Sequence, residues 1–249
     1  MSSVSVENVF KLYDGRPVLE RVEVEIPSGE FCSIVGASGC GKSTFLRMLL
    51  AQETPSSGQI RIGDRPMAKE PGPDRGVVFQ RYSVFPHLSV RDNLILPQDF
   101  AGSGFLGRLF GSARRKAKEE ADTVLERIGL SHMADAWPSQ LSGGMQQRLA
   151  IAQALVRRPE VLLLDEPFGA LDPGTRKSMH GFLLDLWKET GMTIFMVSHD
   201  LSEAFQLGTR VLVFDKPRWD PHDPAAFGAT ITRDFKLTEK KWKTDHVPA

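Results

Sequence analysis

Glu30-Phe31-Cys32-Ser33-Ile34-Val35, followed by Gly36-Ala37-Ser38-Gly39-Cys40-Gly41-Lys42-Ser43, is the stretch that decides the fold. The first part is short and mostly apolar, the composition of a strand buried on both faces. The second part fits G-x-x-x-x-G-K-[ST], and residues 43–52 (STFLRMLLAQ) read as the helix it opens. Strand, glycine-rich turn and helix in that order are the context of a phosphate-binding loop. Glycines let backbone N–H groups converge on a triphosphate, and a helix N-terminus favours the anion. Lys42 is expected to reach the β- and γ-phosphates, and the Ser43 hydroxyl to ligate Mg²⁺. The candidate contacts to the triphosphate are Gly36, Ala37, Ser38, Gly39, Cys40, Gly41, Lys42, Ser43 and Thr44. Cys40, read as exposed beside Lys42, is expected to let thiol reagents block the loop.

On the N-terminal side, Val4, Val6, Val9 and Phe10 form an apolar edge before the turn dipeptide Asp14-Gly15. Residues 18–26 alternate, with Val22, Val24 and Ile26 against Glu23 and Glu25, the period of a half-buried strand. On the C-terminal side, further strands are expected at 59–62, 76–79, 161–164, 193–197 and 210–214. Helices are expected at 113–130, 142–156, 174–189 and 202–206. Strands alternating with helices predict a mostly parallel sheet. The composition from about 83 to 159 is helical and reads as an inserted lobe. The expected division is therefore a core of 1–82 and 160–215, a helical subdomain of 83–159 and a C-terminal tail of 216–249. That tail is Pro-rich and irregular at first (KPRWDPHDPAAFG), then briefly extended, then polar.

The 249 residues suffice for one large α/β domain or two lobes. Lys+Arg and Asp+Glu both number 31, so the basic excess of a general nucleic-acid binder is missing. No run approaches 18 apolar residues, so no membrane span is expected in this chain. Residues 1–7 lack a basic flank followed by an apolar run, so no secretory signal is expected. Cys32 and Cys40 then read as reduced thiols rather than a disulfide.

Two more motifs carry chemistry. Val161-Leu162-Leu163-Leu164-Asp165-Glu166 is a buried strand ending in adjacent carboxylates, which sets charge at the carboxyl edge of a parallel sheet, where ligands bind. Asp165 is expected to hold Mg²⁺, and Glu166 to polarise the attacking water as general base. Leu141-Ser142-Gly143-Gly144-Met145 precedes a helix and offers another cradle of N–H groups.

Together these motifs resemble the ATP-binding subunits of ATP-binding cassette (ABC) transporters, over roughly residues 4–214. The order of 36–43, LSGG at 141–144 and the acidic pair at 165–166 is that family's order. The resemblance implies a P-loop NTPase fold of the ABC ATPase type: α/β, with a mostly parallel core sheet, N-terminal antiparallel strands and an inserted helical subdomain. It implies further site residues. Gln80, ending VVFQ, matches the family's Q-loop, with roles in Mg²⁺ binding and communication with the membrane partner. Asp172 in Ala170-Leu171-Asp172 matches the D-loop. His199 in Ser198-His199-Asp200 matches the switch histidine that contacts the γ-phosphate. Tyr13 matches the aromatic that stacks on adenine. The implied reaction is ATP hydrolysis, with ATP and Mg²⁺ bound.

The resemblance also implies partners. Family members work as head-to-tail dimers, so Ser142, Gly143 and Gly144 serve the ATP held by the other copy. A separate permease chain is implied, with a short helix docking beside Arg81-Tyr82-Ser83-Val84-Phe85-Pro86-His87. The implied location is peripheral, on the cytoplasmic face of the cell membrane. Residues 72–80, 165–172 and 183–190 are similar to nitrate-, taurine- and alkanesulfonate-type importer subunits, which implies an extracytoplasmic solute-binding protein. The alternative within the family is a soluble, non-transport ATPase. A single cassette, no sustained heptads and zero net charge disfavour it. Two segments depart from the pattern. Residues 101–112 hold four glycines and read as a loop of the helical lobe, with Phe105, Leu106, Leu109 and Phe110 spaced to offer an apolar face as the alternative. The tail after 216 is the other departure, and it is too short for the regulatory β-domain that some importer ATPases carry.

Overall fold

The computed structural model describes residues 2–66, 68, 70–79, 84–102, 109–218, 220–223 and 225–237. Strands β1 (Val4–Tyr13) and β2 (Arg16–Ile26) form a hairpin. Its turn, Asp14-Gly15, has both residues at positive φ (48° and 79°), the left-handed pair that a two-residue hairpin of matching twist requires. β1 also pairs with β4 (Ser57–Ile62), which carries the two-residue β5 (Arg65–Pro66). The result is a four-stranded antiparallel sheet in the order β2-β1-β4-β5.

The second sheet has six strands. Five are parallel: β3 (Phe31–Gly36), β6 (Arg75–Val78), β7 (Val161–Asp165), β8 (Thr193–Val197) and β9 (Arg210–Asp215). β10 (Thr230–Lys236) closes one edge antiparallel to β9, giving the order β10-β9-β3-β8-β7-β6. The fold class expected from the sequence is the one observed. The tail is less irregular than expected, because its extended piece is this edge strand. Buried Arg210 fixes it, donating to both carboxylate oxygens of Asp234 at 2.8 and 2.7 Å and to Glu30 at 3.2 Å.

Alternation within strands assigns the sheet's two faces. From β7, Val161 and Leu163 enter the core that also holds Val6, Val22 and Ile60 of the antiparallel sheet. Phe45, Leu46, Met48 and Leu49 of α1 (Lys42–Leu49) fill that same core, so α1 is held between the two sheets. Leu162 and Leu164 enter a second core with Met179 and Leu183 of α5 (Pro173–Thr190). α5 starts on the N-cap Asp172 with Pro173 behind it and stops at Gly191 in the left-handed region, the usual asymmetry of helix ends. A third core joins Leu94 of α2 (Val90–Gly102), Ala117, Ala121 and Leu125 of α3 (Gly111–Arg127), and Leu149 of α4 (Gly143–Leu155). The i, i+4, i+8 spacing of the α3 residues is what buries them on one face.

α2 and α3 bracket the glycine-rich segment, so residues 101–102 and 111–112 are helix ends rather than loop. Phe105 and Leu106 lie outside the described residues. Phe110 is 64% exposed, while Leu109 packs against the helical core. Among the described residues, no helix is long and apolar enough to cross a membrane.

Candidate functional site

The carboxyl ends of β3, β7 and β8 meet at one edge of the parallel sheet. The loop after β3 needs its glycines at specific points. Gly36 has φ 151°, and a Cβ there would lie 2.2 Å from the Phe214 carbonyl oxygen of neighbouring β9. Gly41 has φ 83°, and its Cβ would meet Leu19 of β2 at 2.7 Å. The loop is thus pressed between β9 and β2. Lys42 is buried and folds back over the loop, donating to the carbonyls of Gly36 at 2.8 Å and Ala37 at 2.9 Å. Its ammonium is therefore already held on the loop axis. Cys40 corrects the expectation of an accessible thiol. It is 4% exposed, its Sγ lies 3.7 Å from Lys42 Nζ, and the loop covers it.

Ser43, in the first turn of α1, donates to Asp165 Oδ1 at 3.5 Å, so the loop and the end of β7 share one contact. Burial, and then the neighbouring Glu166 charge, push the Asp165 carboxyl above the ordinary aspartate range. A hydroxyl beside a half-buried carboxylate whose charge the nearby Lys42 and Arg47 do not fully offset is a fitting oxygen donor set for a hard divalent cation. Among the described residues, no three His, Cys, Asp or Glu side chains cluster to hold a metal unaided. Gln80 lies outside the described residues, as do Arg81, Tyr82 and Ser83.

Glu166 follows with φ 47°, a left-handed conformation that costs a non-glycine residue about 1–2 kcal/mol. Its N–H donates to the Val197 carbonyl at 3.0 Å, and its own carbonyl accepts from Gly169 at 3.3 Å. The strained turn is thus tied to β8. Two residues beyond Val197, His199 Nδ1 stands 3.5 Å from Glu166 Oε2. The two residues singled out from separate motifs are neighbours across the sheet edge. His199 is 63% exposed on its side chain, and Glu166 27%.

Tyr13 ends β1. Its hydroxyl bonds to Glu53 and Thr44, the latter the residue after the loop serine. Lys11 lies over the Tyr13 ring at 4.8 Å, and the residue remains 41% exposed. Burial, followed by the bond to Glu53, raises the Tyr13 phenol above its ordinary value. No motif points to Glu53, a loop residue that orients this ring.

Ser142 is the N-cap of α4 and accepts from Met145 N at 3.3 Å. Asp172 accepts from Gly174 N and Thr175 N at 3.1 and 3.0 Å. Bonds from Thr175, side chain first and then backbone, hold its carboxyl below the usual range.

Val84 to His87 are described. Val84 packs against the helical core, Phe85 is 38% exposed, and its ring meets His87 edge-on at 6.0 Å. A groove of about 780 Å³ lies elsewhere: it is lined by Val124, Leu155, Phe182 and Leu186, and by Pro159 and Met192 just before β7 and β8. It opens at the amino end of the strands, opposite the edge that holds Asp165 and Glu166.

A parallel sheet carrying a glycine-rich loop after its central strand, with an acidic pair two strands away, defines a P-loop nucleotide hydrolase. The family model described as "ABC transporter" matches residues 19–169, and the chain belongs to that family. It is 45% identical over 210 residues to a putative ATP-binding protein of Brucella abortus (strain 2308), spanning 84% of this chain and 77% of that one. It is 44% identical over 195 residues to the nitrate import ATP-binding protein of Synechocystis sp. (strain ATCC 27184 / PCC 6803 / Kazusa), spanning 78% and 70%. An ATP-binding cassette solved as a dimer in a post-hydrolysis state with ADP and phosphate superposes with TM-score 0.74 at 30% identity, over 95% of this chain and all (100%) of that one. The chain is an ABC ATPase.

Proposed function

We propose that this chain is the ATP-hydrolysing subunit of a bacterial importer for a small solute of the nitrate, sulfonate or taurine type. It acts as a homodimer on the cytoplasmic face of the membrane. It drives a separate permease that an extracytoplasmic solute-binding protein supplies. No nucleic acid takes part. The observation that carries the hydrolytic reading is the Glu166–His199 pair beside the Lys42 loop. The import reading is supported by the nitrate-import relative and by the matching residues 72–80, 165–172 and 183–190.

In this reading Tyr13 stacks on adenine. The N–H groups of residues 36–44 and the Lys42 ammonium hold the β- and γ-phosphates. Ser43, Asp165 and Gln80 hold Mg²⁺, which when bound neutralises developing phosphate charge. Glu166 accepts a proton from water as the water oxygen bonds to the γ-phosphorus. The bond from that phosphorus to the β–γ bridging oxygen breaks, leaving ADP and phosphate. His199 donates to a γ-phosphate oxygen and so places that group against Glu166. Ser142, Gly143 and Gly144 contribute N–H groups to the ATP held by the other copy, and Asp172 lies in the same interface. Residues 83–159 move as a helical subdomain against the core, and 81–87 receive the permease.

Glu166→Gln tests this reading. The variant should bind ATP, form an ATP-dependent dimer and hydrolyse about 100-fold or more slowly. Recovered with MgATP from gently solubilised native membranes, it should bring a multi-span membrane protein with it. Hydrolysis at the wild-type rate rejects Glu166 as the base. A soluble partner without any membrane protein rejects transport.

A further inference from the structure

Beneath the Glu166–His199 pair lies a buried polar group that none of the motifs accounts for. His180 of α5 is 7% exposed, on a helix face otherwise given to Met179, Leu183 and Leu186. Its Nε2 is 2.9 Å from Oε1 of Glu203, which is also 7% exposed, in α6 (Leu201–Leu207). The other Glu203 oxygen accepts from the Ser198 hydroxyl, itself 1% exposed. Ser198 Oγ in turn accepts from Asp200 N at 3.1 Å. The residue between Ser198 and Asp200 is His199.

On its other side the His180 ring meets Phe168 edge-on, with centroids 5.0 Å apart. Phe168 is fully buried two residues after Glu166, and the Phe168 carbonyl accepts from Leu171 N at 3.1 Å within the turn that Glu166 starts. One imidazole therefore supports both catalytic segments. Through Glu203 and Ser198 it grips the backbone on each side of His199. Through Phe168 it backs the strained turn of Glu166.

The energetics favour a role for this group. A buried carboxylate without donors costs several kcal/mol, so Glu203 must keep both of its bonds. Removing the imidazole leaves Glu203 Oε1 without that partner, and the carboxylate must turn to find another while its second oxygen is held by the Ser198 hydroxyl. The adjustment falls on the segment carrying His199. Hydrolysis is sensitive to such shifts, since a 1 Å misplacement costs about 100-fold.

We propose that His180 is a positioning residue for ATP hydrolysis that sets the separation of His199 from Glu166 by holding Glu203, Ser198 and Phe168. The inference rests on the reading of Glu166 and His199 as the hydrolytic pair. It assigns no contact between His180 and nucleotide.

The test uses the full chain with His180→Leu, which keeps bulk but loses the donor, and His180→Gln, whose amide N–H reaches toward Glu203. Glu166→Gln runs in parallel. His180→Leu should lower kcat about tenfold or more while ATP affinity stays within about twofold, and His180→Gln should recover to within about threefold of wild type. Ring ¹³C–¹H spectra of the six histidines give a second readout independent of turnover. The His199 signal should move in His180→Leu and return in His180→Gln. Wild-type kcat in His180→Leu overturns the proposal. So does ATP affinity falling in step with kcat, an unmoved His199 signal, or no recovery with glutamine. If His180→Leu does not fold, Ser198→Ala carries the same expectations for kcat and for the His199 signal. Wild-type hydrolysis by Glu166→Gln defeats the underlying reading instead, and is seen separately.

Discussion

Gly144 and Thr175 are in contact so close that a Cβ on Gly144 would sit 2.4 Å from Thr175 Cγ2. The contact joins the start of α4 to the start of α5, two helix ends that the chain keeps thirty residues apart in sequence. Thr175 is β-branched and fixed by Asp172, so it has little freedom to retreat. Gly144→Ala should therefore push the two helix ends apart. It should abolish most ATP-dependent dimerisation and hydrolysis, while single-copy ATP binding at the Lys42 loop persists. Adding Thr175→Ser removes the opposing methyl and should restore part of the activity. ATPase assays and size-exclusion chromatography with MgATP check both variants.

The loop glycines should differ in their tolerance of alanine. At Gly36 the obstacle is the backbone carbonyl of Phe214, which cannot swing aside. Gly36→Ala should cost about 2 kcal/mol or more and abolish ATP binding. Gly39 also has a positive φ, 77°, but a Cβ there meets nothing within 4 Å. Gly39→Ala should cost only the conformational strain, about 1 kcal/mol, and weaken ATP binding modestly. Thermal unfolding and nucleotide titration of the pair measure the contrast.

Asp165 should reveal a trade between stability and function. Its carboxyl titrates above its unfolded value because burial and Glu166 disfavour the charge. A carboxylate raised in this way opposes folding at neutral pH, and the opposition fades as pH falls through the raised value. Asp165→Asn should consequently raise the melting temperature at pH 7 without nucleotide. The gain over wild type should shrink in mild acid. The same variant should lose the Mg²⁺ dependence of ATP binding. Melting curves across pH 4–8 decide the first point, and titrations with and without Mg²⁺ the second.

Arg210 and Asp234 should show the opposite sign. The Arg210 guanidinium holds the Asp234 carboxyl below its ordinary value. The stability this gives is fully present above the usual aspartate range and is lost as pH falls through the depressed value, below about pH 4. Asp234→Asn should flatten the acid limb of the stability curve and leave the neutral region sloped as in wild type. Arg210→Ala, which strands Glu30 and Asp234 near a buried position, should cost about 3 kcal/mol at neutral pH.

The sheet edge that carries Lys42, Asp165 and Glu166 was legible in the sequence because its signals are local. Gly36 to Ser43 and Leu164 to Glu166 each fit within one strand and its turn. The Asp14-Gly15 turn was legible for the same reason. What stayed hidden depends on distant partners. Cys40 reads as an exposed loop thiol until Lys42 and Gly36 are seen to close over it. The extended end of the tail pairs along β9, with Arg210 holding Asp234, and neither partner is near it in sequence. His180 sits one position from Met179 on a core-facing helix, and nothing in sequence spacing points it to Glu203. Glu53 finds Tyr13 across a loop that carries no motif.

The segment between β9 and β10 returns to β2. Ala229 bridges to Leu19, the Ala229 N–H donates to the Val18 carbonyl at 2.9 Å, and Gly228 N donates to Glu20, 208 positions away, at 3.0 Å. Leu19 is the residue against which Gly41 rests. The wall of the phosphate loop is therefore sealed by residues synthesised long after the loop itself. β3 likewise waits for β8 and β9 before it has any neighbour in its sheet. On the ribosome, the segment with the strongest motif is among the last to acquire its shape. Contacts of such long sequence separation make slow folding the expectation. Until residue 229 has emerged, the nascent chain has no finished seat for a nucleotide, and ATP cannot hasten its folding by binding early.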